Sequence, residues 1–159
     1  MTSPEAALFR ALTRAVFEAQ NALLRHGDLV NAPFGQTSAR WRVLLQISQG
    51  NSSVAGIARS TGYSRQAVQR LTDALVAASL AAYAPDHSDR RRQVISLSDK
   101  GQAILAEMED NFDIWSKRIV GQLSPGDLTT AIELLGDIKR VVEHDCEHIK
   151  GRRRTNNDR

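Results

Sequence analysis

Apolar residues recur at spacings of three and four along most of this chain and give way to short strand-like runs in one place. Leu8, Leu12, Ala15/Val16, Ala19 and Leu23 predict an amphipathic helix over 4–26. Ser3 suits its cap, Pro4 its first position and Gly27 its end. Residues 28–36, with Pro33 and Gly35, read as a loop. Thr37 or Ser38 then caps a second helix to about Gln49, with Trp41, Leu44, Leu45 and Ser48 as its inward stripe. Ser53 caps a short third helix, Val54 to Ser60, with Ile57 and Ala58 inward. Thr61-Gly62 makes a turn, and Ser64 caps a fourth helix to about Ala78 whose stripe is Val68, Leu71 and Leu75. Leu80 to Ala84 and Gln93 to Leu97 read as two strands around a turn-rich tip. Ser98 caps a long fifth helix to Val120, with Ile104/Leu105, Met108, Phe112, Trp115 and Ile119 along one side, and Gly121 stops it. Ser124-Pro125-Gly126-Asp127 starts a sixth helix carrying Leu128, Ala131/Ile132, Leu135, Ile138, Val142 and Ile149.

Two short helices around a tight turn, followed by a hairpin, form a winged helix-turn-helix. The expected architecture is mostly α with a small β-wing. Residues 37–97 form the winged unit. Residues 1–36 and the helical pair 98–150 form a dimerisation lobe, and 151–159 is a basic disordered tail. The flanking helices carry more apolar surface than the small middle unit needs as cover, which predicts a helical homodimer.

Charge sharpens this picture. The net charge is +3, but residues 51–97 carry +3 and 150–159 carry +4, while 98–149 carry −6. A basic middle beside acidic helices suits a polyanion on one face only. On the fourth helix, Ser64, Arg65, Gln66, Gln69 and Arg70 lie away from the apolar stripe. Arg pairs with guanine edges and Gln with adenine edges in the major groove. The same face also fits an ordinary solvated helix. The hairpin tip, Pro85 to Arg92, holds Asp89, Arg90, Arg91 and Arg92. Arginines on a thin hairpin suit the narrow, electronegative minor groove. Asp89, two residues from Arg91, orients its guanidinium if the backbone there is extended. A solvated charged turn is the plainer alternative.

Other chemistry is sparse. There is no glycine-rich phosphate loop, HExxH, nucleophile elbow or multi-cysteine cluster, so an enzyme is not expected and no cofactor is implied. The single cysteine, Cys146, excludes an internal disulfide, and its acidic neighbours disfavour a reactive thiolate. His144 and His148 share a helix face at a spacing that suits zinc, the weak candidate for a metal site. No apolar run is long enough to span a membrane and the N-terminus lacks signal-peptide features, so a cytoplasmic protein is expected.

The wing carries a family resemblance. Asp89-Arg90-Arg91, five residues, Leu97-Ser98 and then Gly101 resembles the signature of the MarR family of winged-helix transcription regulators. Ile57-Ala58, Gly62, Ser64, Val68, Arg70, Leu75 and Leu80 fall at that family's helix-turn-helix positions. The motif similarity covers roughly residues 37–101. Four departures stand out: Gly56 where Glu is frequent, Gln69 for Thr, Ser79 for Gly and Tyr83 for a basic residue. The resemblance implies a homodimer on a pseudo-palindromic double-stranded DNA operator, with one recognition helix and one wing from each copy. It also implies a repressor released by a small-molecule effector. Candidate pocket residues, where helices one, two and five meet, are Phe17, Trp41, Phe112 and Trp115, though each also reads as plain core. Two rival readings are a winged-helix module for protein contact without DNA binding, and a metal-responsive regulator using His144/His148.

Overall fold

Side-chain caps decide where most helices begin. The structure, a computed structural model, describes residues 3–85 and 93–157, of which 150–157 as backbone only. Among the described residues, six α-helices and two strands follow in order: α1 (Pro4–Asn31), a 3-10 turn (Ala32–Phe34), α2 (Ser38–Ser48), α3 (Val54–Thr61), α4 (Arg65–Ala77), β1 (Ala81–Pro85), β2 (Gln93–Leu97), α5 (Asp99–Val120) and α6 (Pro125–Asn157). Ser3, Thr37, Ser53 and Ser64 each accept a hydrogen bond from a backbone N–H of the first turn they cap. Ser98 does the same for α5 through the Gly101 N–H.

The chain divides into two compact units, 1–113 and 114–159. The first takes in α1 and the earlier part of α5 along with the winged segment, and Leu105 and Met108 of α5 close its core. Val43, Leu44 and Ile47 of α2, Ile57 of α3, Val68 and Leu75 of α4, Leu80, Ala81, Ile95, and Leu105 and Met108 of α5 form one buried cluster. β1 and β2 pair antiparallel, with Ala81 opposite Leu97, Tyr83 opposite Ile95 and Pro85 opposite Gln93. A third edge contact joins them to the loop before α3, where the Ile95 N–H donates to the Ser52 carbonyl (2.9 Å). In the second unit, the part of α6 with described side chains has no buried residue.

Three expectations are corrected. Gly27 does not end α1, which runs on to Asn31. A Cβ there would overlap Ser38 Oγ, so this glycine serves a close approach of α2 and not a helix stop. The buried stripe of α2 is Ser38, Val43, Leu44 and Ile47, while Ser48 is exposed and Trp41 and Leu45 are half-buried. Finally, α6 continues through the expected disordered tail as far as Asn157. Arg is a strong helix former, cations suit a helix C-terminus, and Gly151 alone costs about 1 kcal/mol.

Close approach also explains one element of the wing signature. A Cβ at Gly101 would overlap the Leu80 carbonyl oxygen. The two segments meet because Ser98 N–H donates to that carbonyl (3.0 Å) and Ser98 Oγ donates to the Ser79 carbonyl (2.7 Å). Ser79 itself has φ 60°, a left-handed conformation usually left to glycine.

Candidate nucleic-acid interface

The fourth helix has two chemically distinct sides. Val68, Thr72 and Leu75 are buried, and Arg65, Gln66, Gln69, Arg70 and Asp73 are exposed. Leu71 packs half-buried against the core, and Thr72 beside it is the fully buried position that patterning did not mark. A buried hydroxyl needs partners. Thr72 Oγ1 lies 3.1 Å from the Val68 carbonyl and 2.9 Å from that of Gln69, to which it donates, and it accepts from Tyr83 Oη at 2.7 Å.

The start of α4 is braced from two sides. Ser64 Oγ accepts from the Ala67 N–H at 3.1 Å, leaving its own O–H outside the cap. Gly62, at φ 75°, closes α3 in the left-handed conformation that the turn requires. From α2, Arg42 donates to the Thr61 carbonyl (3.1 Å) and to Tyr63 Oη (3.2 Å), and its guanidinium lies 5.0 Å from the centre of the Tyr63 ring. A cation thus meets the last carbonyl of α3 and an aromatic face of the turn. Sequence patterning did not single out Arg42, because its partners lie about 20 residues away on another element.

The wing root is tied to α4 by side chains. Tyr83 Oη approaches Asp73 Oδ1 (3.1 Å) as well as Thr72, and Gln69 Nε2 donates to both Tyr83 Oη (2.9 Å) and Asp73 Oδ1 (2.8 Å). Burial, followed by the hydrogen bond and negative charge of Asp73, raises the Tyr83 pKa above its ordinary value, with Thr72 and Gln69 pulling the other way. Asp89, Arg90, Arg91 and Arg92, with the proposed Asp89–Arg91 pairing, lie outside the described residues.

The other candidates fare differently. Trp41 and Phe112 come together, with ring centroids 5.4 Å apart and planes at 24°. Phe17 is 60% exposed on α1, and Trp115 belongs to the second unit. Near the start of α2, Gln36 Oε1 and Trp41 Nε1 are buried without a hydrogen-bond partner among the described residues. The His144 and His148 rings meet edge-on at 4.7 Å, and Cys146 is exposed. Among the described residues, no three His, Cys, Asp or Glu side chains gather as metal ligands, and no helix is long and apolar enough to cross a membrane.

A helix-turn-helix braced at its turn, with a two-stranded hairpin hooked to its second helix, defines a winged-helix protein. Comparison with known proteins narrows the class. A family model described as MarR family matches residues 34–92. The uncharacterized protein Rv2011c of Mycobacterium tuberculosis is 33% identical over 119 residues, which are 74% of this chain and 82% of that protein. A solved structure of a MarR family transcriptional regulator from Silicibacter pomeroyi is 26% identical, with a TM-score of 0.73 over 86% of this chain and 91% of its own. The transcriptional repressor CouR, solved bound to a 23-mer DNA duplex, is 25% identical, with a TM-score of 0.74 over 87% of this chain and 99% of its own. The chain belongs to the MarR family of winged-helix transcription regulators.

Proposed function

We propose that this chain is a homodimeric, sequence-specific DNA-binding repressor that a small molecule releases from its operator. The carrying observation is the sidedness of α4: its apolar residues are buried in the core while Arg65, Gln66 and Arg70 stand exposed near its N-terminal end. That arrangement suits the major groove, where a recognition helix presents its early residues to base edges. The arginines of residues 90–92 follow a root fixed to the same helix and suit the flanking minor groove. CouR, a similar protein solved bound to a DNA duplex, supports DNA as the partner. Exposed apolar residues on α1 (Leu8, Phe9, Phe17, Leu23) and on α6 (Ile132, Leu135, Val142, Ile149) support pairing with a second copy. Two copies read half-sites about one helical turn apart. The stacked Trp41–Phe112 pair supports an effector with an aromatic body.

Selection of a duplex from a random library, followed by fluorescence anisotropy, tests this reading. The expected result is a pseudo-palindromic site and a logarithmic salt slope of about −0.9 per neutralised phosphate. Arg70→Ala and Arg91→Ala each weaken binding. If Arg91→Ala binds as tightly as the natural chain at moderate salt, the wing has no minor-groove role. A winged helix serving only protein contact shows no salt-sensitive duplex binding at all.

A further inference from the structure

We propose that Gln69 does not read a base but, together with Tyr83, Thr72 and Asp73, locks the wing root to the recognition helix and so sets the position of the wing on DNA. The inference rests on reading α4 as the groove-entering helix.

Hydrogen accounting carries the proposal. A glutamine that recognises adenine in the major groove donates from its amide nitrogen to N7 and accepts from N6 with its oxygen. The amide nitrogen has two hydrogens. In this chain both have a partner, Asp73 Oδ1 at 2.8 Å and Tyr83 Oη at 2.9 Å. The orientation of the amide is fixed by chemistry, because an ionised carboxylate only accepts, so the atom facing Asp73 must be the nitrogen. The hydroxyl hydrogens are used up in the same way. Thr72 gives its hydrogen to the carbonyls one turn earlier, so it accepts from Tyr83 Oη at 2.7 Å. Tyr83 therefore donates toward Thr72 and Asp73 and accepts from Gln69. Adenine readout by Gln69 would take at least one of these amide hydrogens from its partner.

Placement gives the network its consequence. Gln69, Thr72 and Asp73 lie along one edge of α4, and Tyr83 is the middle residue of β1, two positions before the last rung of the hairpin at Pro85 and Gln93. Ile95, opposite Tyr83, is buried and also bonded to the Ser52 carbonyl. The root is thus held on one strand by α4 and on the other by the loop before α3. Loss of the Tyr83 hydroxyl leaves the strand pairing intact and removes only the tie to the recognition helix.

The test uses the full-length chain and the duplex recovered by selection with it. The variants are Tyr83→Phe, Gln69→Ala, the double variant, and Tyr83→Phe in an Arg91→Ala background, with circular dichroism to confirm folding. Tyr83→Phe and Gln69→Ala are each expected to weaken binding about fivefold, the equivalent of one net hydrogen bond. The double variant loses no more than either single change. Base preference across the site and the salt slope stay as in the natural chain. In the Arg91→Ala background, Tyr83→Phe adds nothing, because the tie acts through the wing. A changed base preference in Gln69→Ala, or wild-type binding by Tyr83→Phe, overturns the proposal. If no duplex is selected, or Arg70→Ala binds unchanged, the DNA-reading role of α4 fails and the proposal falls with it.

Discussion

The winged core of the first unit and helix α6 of the second both carry apolar helix faces and treat them in opposite ways. In the first, Leu44, Ile57, Val68, Leu75 and Met108 are completely hidden within a single copy. In the second, Ile132 of α6 is 71% exposed and Leu135 45%. The winged unit therefore holds its shape through its own packing. The α6 face gains from the hydrophobic effect only when some other surface covers it. A binding surface needs a rigid helix with a fixed wing root, whereas an assembly surface must keep its apolar residues available.

The sharpest way to break this contrast is a matched pair of truncations. Leu75→Ala should destabilise the winged unit by about 4 kcal/mol, as expected for a fully buried leucine. Leu135→Ala should leave unfolding of the dilute chain nearly unchanged but weaken its self-association. Urea denaturation and sedimentation at several concentrations measure the two effects, and equal loss of stability in both variants would erase the distinction. Next in size is Gly101→Ala. Its added Cβ meets backbone and not a movable side chain, so about 3 kcal/mol should be lost by the same measurement. Ser79→Gly works the other way. It relieves a left-handed serine and keeps the carbonyl that Ser98 uses, so a gain of about 1 kcal/mol is expected, seen as a higher denaturation midpoint.

The smallest effect is one of pH. Tyr83 has its pKa raised above 10.0 on folding, so the folded state favours the neutral phenol. That contribution is fully present below pH 10 and is lost as pH rises through the folded value. Thermal melts should show a steeper decline above about pH 10 in the natural chain than in Tyr83→Phe. Identical profiles would mean that the hydroxyl contributes nothing to the join between wing and helix.

Much of this architecture was legible because it rests on local rules. Caps at Ser3, Ser53, Ser64 and Ser124, and the periodic apolar positions of α3 to α5, mark helices without any knowledge of the fold. What escaped depends on tertiary contacts. Gly27 carries the signature of a helix end, yet its missing side chain serves another element. Thr72 looks like a surface residue until Tyr83 supplies a partner for its hydroxyl. Gln69 is an exposed polar residue of α4 in one dimension, and only the 14-residue jump to Tyr83 shows its amide bonded to the wing root. Arg42 had no local signal at all. Polar residues advertise exposure in a sequence, and those that fasten elements together are misread for that reason.

The seam at Gly27 has a consequence for motion. Ser38, buried at the first turn of α2, donates its N–H to Asp28 Oδ1 (2.8 Å) and its hydroxyl to the Leu24 carbonyl (2.9 Å). Gly27 lets α1 settle against that side chain. Sliding α1 by one residue would put Leu24, Asp28 and the glycine gap out of register together, with a Cβ forced onto Ser38. These contacts together fix the register of α1 against α2. Arg42 of the same α2 holds the turn ahead of α4, so one helix carries both the α1 seam and the brace of the recognition helix.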